Sequence, residues 1–241
     1  MKRIAATLAA ALSLALPVPL AAAPVNAADY EAFWLWAGVK PQPVLAQARS
    51  LYILQGQVEF SRHDPAAQGH LIDQGGAAPR LREVEIWIVY RAHTLNWSSK
   101  IYAQILGHLR RWRAKGVPVV GIQLDFDART RHLDKYQAFL RDFRQRLPED
   151  CKLSITGLLD WSSHGDSSAL NDLGRVVDEV VLQTYQGRKT IPSYADYLDN
   201  LQRLTIPFKI GLIQGGEWSP PPTLATHPNF RGYVVFLLND G

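Results

Sequence analysis

Residues 117–127, Val-Pro-Val-Val-Gly-Ile-Gln-Leu-Asp-Phe-Asp, decide the fold of this chain. The run is apolar and rich in β-branched residues, and a Gly-Val-Pro turn opens it, so it predicts a buried strand. Alternation places Val120, Ile122, Leu124 and Phe126 on one face and Gly121, Gln123, Asp125 and Asp127 on the other. A strand apolar on one side, and small then acidic on the other, suits a barrel whose lumen opens to solvent at the strand's C-terminal end. Asp125 and Asp127 would stand about 6.6 Å apart there, at a rise of roughly 3.3 Å per residue. Partly buried at that spacing, the two carboxyls would not ionise independently, and one would keep its proton to higher pH, as a general acid must. The plainer alternative is an Asp capping the next helix beside a solvated neighbour.

Apolar, strand-like runs recur on either side, at 33–39, 51–58 and 83–91 before this one and at 152–158, 177–185, 208–214 and 232–239 after it. Helical spacing fills two of the intervals. Ile101, Ile105, Leu109 and Trp112 form a stripe over 98–115, and Tyr136, Phe139, Leu140, Phe143 and Leu147 form one over 133–147, where Pro148 stops it. Further helical stretches are expected at 43–49 and 194–204. Gly-rich, polar loops at 61–80 and 215–229 stand where helices would otherwise be. Eight strands alternating with helices predict an α/β fold, a (β/α)8 TIM-type barrel with one or two helices reduced to loops. An open doubly wound sheet is the alternative, but no Gly-x-Gly-x-x-Gly follows any strand, which excludes its dinucleotide-binding form.

The chain begins Met-Lys-Arg, continues in an Ala/Leu-rich run from Ile4 to about Leu16, and reaches Val25-Asn-Ala-Ala28. A basic start, an apolar stretch and a small-residue cleavage site predict a signal peptide over 1–27, followed by one barrel domain over 28–241. The expected location is the bacterial periplasm or the medium, with no integral membrane segment after cleavage. A membrane anchor fits less well, because Pro17 and Pro19 cut the apolar run short. Removing 27 of the 241 residues also removes Lys2 and Arg3, so the formal charge falls from +4 to +2 and nucleic acid is not indicated as a partner. Cys151 is the one cysteine, so no intrachain disulfide forms and stability rests on the core. A monomer is expected.

A barrel builds its site at the C-terminal strand ends. Here these carry Trp36, Gln55, Arg91, Asp125 with Asp127, Asp160 with Trp161, Gln183 with Tyr185, Glu217 with Trp218, and Asn239, with Gln123 one layer below. Indoles for sugar C–H faces, amides for hydroxyls and carboxyls for glycosidic chemistry are what a carbohydrate site needs. Each has a plainer reading: Trp36 and Tyr185 as core aromatics, Arg91 as the partner of a lumen carboxylate. Other chemistries find no support. The seven histidines show no metal-ligand spacing, there is no Gly-x-Ser-x-Gly elbow and no P-loop, and neither metal nor cofactor is expected.

Gly121-Ile-Gln-Leu-Asp-Phe-Asp127 resembles the fourth-strand signature of the family 18 glycoside hydrolases, Asp-Gly-x-Asp-x-Asp-x-Glu, and Val181-Leu-Gln-Thr-Tyr185 resembles their sixth-strand Met-x-Tyr segment. The resemblance implies a catalytic acid at Asp127, its acetamido-steering partner at Asp125 and the site tyrosine at Tyr185. Asp127 stands where that family has Glu, one methylene longer, and Val120 and Gln123 replace its first two aspartates. The chain from 33 to 239 more closely resembles the bacterial family known as domain of unknown function 3142, through Phe33-Trp-Leu-Trp-Ala-Gly, Gly121 to Asp127, Val177 to Gly187, and Gly215-Gly-Glu-Trp218. That resemblance implies a glycoside-hydrolase-like barrel.

The expected function is an exported glycoside-hydrolase-like protein acting on a polysaccharide or cell-envelope glycan. Asp127 is the candidate acid, Asp125 its electrostatic partner and Glu217 a second carboxylate. Tyr185 and Gln183 are expected to hold substrate, with Trp36, Gln55, Arg91, Gln123, Asp160, Trp161, Trp218 and Asn239 around them. The alternatives are a non-catalytic glycan-binding barrel and an accessory protein of polysaccharide assembly.

Overall fold

The computed structural model describes residues 22–36, 38–60, 67–75, 83–126, 133–159, 161 and 171–239. Its eight principal strands are β1 (Ala32–Leu35), β2 (Ser50–Glu59), β3 (Glu85–Ala92), β4 (Val119–Asp125), β5 (Lys152–Leu158), β6 (Glu179–Gln183), β7 (Phe208–Ile213) and β8 (Phe230–Phe236). Each pairs in parallel with the next, and β8 pairs with β1, so the sheet closes into a TIM-type barrel. All eight expected strands are present. Helix α1 (Ser99–Ala114) buries Ile101, Ile105, Leu109 and Trp112 against the barrel wall, and α2 (Leu133–Arg146) buries Tyr136, Leu140 and Phe143. A short α3 (Tyr194–Leu198) continues as a 3-10 turn to Arg203. Among the described residues the β2–β3 and β7–β8 connections carry no α-helix, as expected, and the helical stretch expected at 43–49 is a 3-10 helix, Pro43–Gln47.

Two one-residue irregularities alter the expected faces. The β3–β4 register shifts between Ile86/Val119 and Trp87/Gly121, so Val119 and Ile122 both face the helices while Val120 packs on the lumen cluster, opposite to its expected side. The β2–β3 register shifts between Leu54 and Gly56, leaving Gln55 as the extra residue. β2 is ten residues long and β1 pairs only with its first four, so its far end projects past the barrel. His70–Asp73 pairs antiparallel with that end, supplying a strand where the 61–80 loop was expected.

The lumen is filled from below. Trp34, Tyr52, Leu54, Trp87, Val89, Val181 and Val234 form its cluster, with Tyr52 stacked on Trp87 at 5.6 Å between centroids. Two lumen glycines make room for the indoles: a Cβ on Gly121 would lie 2.5 Å from the Trp87 ring, and one on Gly211 2.7 Å from that of Trp34. A polar chain threads these rings. Trp34 Nε1 donates to Gln123 Oε1 (2.6 Å), Gln123 Nε2 to Ser154 Oγ (2.9 Å), and Ser154 Oγ to Glu179 Oε1 (3.1 Å). Glu179 also accepts from Tyr52 (2.8 Å) and pairs with Lys209 at 3.0 Å.

Residues 22–29 take a helix's place outside the barrel. Ala23–Pro24 pairs antiparallel with Glu217–Trp218, Val25 N donates to Gly216 O (2.7 Å), Gly215 N donates to Val25 O (2.9 Å), and Val25 and Ala27 are buried. The leader boundary expected at Ala27 therefore runs through packed structure. A chain starting at Ala28 loses the buried Val25 and Ala27 and the two backbone hydrogen bonds that tie Val25 to Gly215 and Gly216, and urea melts should find it about 3 kcal/mol less stable than one starting at Ala22. Equal midpoints would show that this segment adds nothing to the fold.

Candidate functional site

A cleft of about 650 Å³ opens at the C-terminal end of the barrel. The last lumen positions of β3, β4 and β6 bring Arg91, Asp125 and Gln183 to it, and Trp36 and Phe236 reach it from the ends of β1 and β8. A two-residue turn at Gly187 (φ 61°) folds Tyr185–Gln186 back on Lys189–Thr190, and this ribbon hangs Tyr185, Gln186 and Gly187 over one side. Leu158, Leu159, Ile191 and Tyr197 complete the wall.

Asp125 is buried and held from two sides. Thr156 Oγ1 donates to its Oδ1 (2.7 Å), and Arg91 Nε lies 3.8 Å from its Oδ2. The Arg91 guanidinium also lies over the Trp36 ring, 5.1 Å from its centroid. Aromatic contacts continue from Trp36 to Phe236 (5.5 Å), from Phe236 to Tyr185 (5.8 Å) and from Tyr185 to Trp34 (6.4 Å). Burial pushes the Tyr185 phenol well above its ordinary range; the negative charge of Asp125 adds to this and Arg91 opposes it. Tyr185 therefore presents an O–H donor at any working pH. The site can stack a ring on its aromatic wall and hydrogen-bond hydroxyls through Gln183, Tyr185 and Arg91.

Of the residues expected here, the cleft brings together Trp36, Arg91, Asp125, Gln183 and Tyr185. Asp127 and Asp160 lie outside the described residues. The others are used elsewhere. Gln123 is wholly buried one layer below, bound to Trp34 and Ser154. Gln55, on the helix-facing side of its strand with Leu51 and Ile53, donates to Asp73 Oδ1 (2.6 Å) and accepts from Trp112 Nε1 (3.0 Å). Trp218 is buried and stacks on Tyr194 (4.9 Å). Glu217, exposed in the ribbon with Pro24, does not line the cleft. Asn239 ties down the turn after β1, accepting from Lys40 N (2.7 Å) and donating to Gly38 O (2.8 Å).

Trp161 is fully buried, edge-on to Tyr136 at 6.3 Å, and offers no face to a ligand. Trp161→Ala should cost about 3–5 kcal/mol of stability. A melt that shows no loss, together with weakened ligand binding, would return Trp161 to the site.

Thr156 was missed, although it was legible. Lys152-Leu-Ser-Ile-Thr-Gly-Leu alternates, and parallel register sets Gln123 beside Ser154, which carries Asp125 to Thr156. Phe236 and Tyr197 carried no comparable signal.

Comparison with known proteins agrees with this architecture. The model of a family described as Domain of unknown function (DUF3142) matches residues 91–190, a span that carries Arg91, Asp125, Thr156, Gln183 and Tyr185. Among solved structures, the chain is similar to the xylanase and alpha-amylase inhibitor protein XAIP-II of Scadoxus multiflorus, with 12% identity, 86% of this chain and 92% of that one covered, and a TM-score of 0.53. It is also similar to the chitinase domain of the spore coat protein CotE of Clostridium difficile, with 11% identity, 78% and 68% covered, and a TM-score of 0.50. The spore cortex-lytic enzyme SleL of Bacillus cereus matches at 16% identity with a TM-score of 0.44; 76% of this chain is covered, but only 50% of SleL. No curated protein matches the sequence. At these identities the likeness is one of fold, a barrel that carries both a chitinase domain and an enzyme inhibitor.

Proposed function

We propose that this chain is an exported glycoside-hydrolase-like protein that acts on a polysaccharide or cell-envelope glycan in the strand-end cleft. The observation that carries the reading is a run of aromatic rings, Trp36, Phe236 and Tyr185, lining one cleft together with the polar set Arg91, Asp125 and Gln183. A sugar ring stacks on the first and hydrogen-bonds to the second. In this proposal Asp127 protonates the leaving glycosidic oxygen. Asp125, oriented by Thr156 and Arg91, stabilises the positive charge that develops at the anomeric carbon, and Tyr185 and Gln183 hold the substrate. Export rests on the basic and apolar N-terminal stretch.

One observation favours a second reading, a barrel that binds a glycan without cleaving it. Among the described residues lining the cleft, Asp125 is the one carboxylate, and Glu217 is not beside it. A panel of polysaccharides scored for both binding and new reducing ends separates the two. New ends that disappear with Asp127→Asn support the enzyme, binding without new ends supports the second reading, and no binding at all removes the glycan assignment.

A further inference from the structure

Behind the projecting end of β2, a second set of polar groups is enclosed. His108, on α1, is 5% exposed and has a partner on each ring nitrogen. Tyr90, from β3, bonds to its Nδ1 at 2.8 Å, and Asp73, the last residue of the short strand His70–Asp73, lies 3.3 Å from its Nε2. Asp73 is a hub, its Oδ1 also accepting from Gly75 N (2.9 Å) and from Gln55 Nε2 (2.6 Å). This pattern assigns the protons. A carboxylate only accepts, so Nε2 carries the hydrogen, Nδ1 is bare, and the Tyr90 hydroxyl donates to it.

The two sides of the contact are unequal. Helix α1 sinks Ile101, Ile105, Leu109 and Trp112 into the core, whereas the short strand is held by four register pairs to β2 and buries only part of Leu71. Where the contact fails, the strand is what leaves. Protonation makes it fail, because an imidazolium has no bare nitrogen and the Tyr90 hydroxyl, shut away from water, loses its acceptor. The charged groups acting on the ring are Asp73 and, from α1 itself, Arg111; β2 brings the neutral Gln55, and burial keeps the Tyr90 phenol protonated. Burial pushes the His108 imidazole below its ordinary range, Asp73 opposing this and Arg111 adding to it. Burial pushes the Asp73 carboxyl up, but its bonds from Gly75 and Gln55 and the charges of His108 and Arg111 outweigh that and hold it below its usual range. Both shifts have one sign. A group lowered on folding stabilises the fold above its ordinary value and ceases to as pH drops through the lowered one, so the contact is complete above about pH 6.5 and weakens in acid.

We infer that Asp73, His108 and Tyr90 form an acid-released latch that holds the short strand against α1 at neutral pH. The strand belongs to a flank of the cleft: register sets Gln57, the partner of Ile72, next to Arg91. Release therefore loosens that flank, whatever ligand the cleft takes.

Hydrogen exchange read by mass spectrometry tests the latch on the purified protein, with rates corrected for the chemical exchange rate at each pH. Between about pH 7.5 and about pH 5 the amides of 70–75 should lose about tenfold or more of their protection while α1 and β3 to β7 keep theirs. The His108 imidazole, followed by NMR in the same protein, should titrate over the same range. His108→Gln keeps a donor and an acceptor but takes no proton, and should abolish the acid loss. Tyr90→Phe removes the hydroxyl that needs the bare nitrogen, and should move the loss to higher pH. Protection at 70–75 that stays flat, that falls while His108 keeps one protonation state, or that still falls in folded His108→Gln overturns the latch. Equal loss in α1 and the barrel overturns it too, because acid then opens the whole fold.

Discussion

Asp127→Asn should lower turnover of a cleaved glycan by about 10²–10⁴-fold while changing its affinity far less. The amide keeps the size and hydrogen-bonding reach of the carboxyl but has no proton to give to a departing oxygen. Asp125→Asn tests the other half of the site. Its amide oxygen still accepts from Thr156, so the side chain stays in place, but the charge facing Arg91 is gone. Turnover should fall here too, and a spectroscopic signature should accompany the loss. The negative charge of Asp125 is one cause of the raised Tyr185 phenol, so removing it should bring that phenol's titration down toward the ordinary range. An ultraviolet titration of Asp125→Asn set against Asp125→Asn/Tyr185→Phe isolates that phenol. An unmoved Tyr185, or full turnover in both single variants, would separate this carboxylate pair from the chemistry.

Lys209→Met should cost about 3–5 kcal/mol, the largest stability loss expected of any single change in the lumen. Lys209 and Glu179 are both nearly enclosed, their side chains 13% and 10% exposed, and Tyr52 bonds to each of them at 2.8 Å. Removing the ammonium strands a carboxylate under the lumen aromatics with two hydroxyl donors but no counter-charge. The control is Lys209→Met/Glu179→Gln, which removes both charges and should recover much of the loss. If the single and double variants melt alike, the pair contributes nothing as a pair. Because Gln123 links this cluster to the layer beneath Asp125, ligand affinity should weaken along with stability only if the disturbance travels up the lumen.

The strand count was legible because apolar runs and their spacing report burial directly. The residues of the cleft were legible where a strand alternates without interruption: Arg91, Asp125 and Gln183 follow from parity alone. Parity fails at a bulge, since one extra residue reverses every face beyond it. That is why Val120 points the other way, whereas Gln55 obeys the alternation of β2, opposite Tyr52 and Leu54. Beyond the strand ends, sequence tells how high along the barrel a residue sits but not whether it turns inward. Trp161 and Trp218 sit at the right height and turn into the packing behind the cleft. Glu217 is carried off in the same way, by the short ribbon that the N-terminal segment forms with it.

That N-terminal segment belongs to a seam with a consequence for how the molecule is made. β1 is completed only by β8, where Phe33 meets Val235, and Asn239 ties off the turn after β1 across 199 positions of sequence. A polypeptide synthesised N-terminus first meets its own end last. Until β8 emerges, β1 has a single neighbour, and its other edge stays open to solvent or to a chaperone. Closure is then a late, long-range event, which favours slow folding.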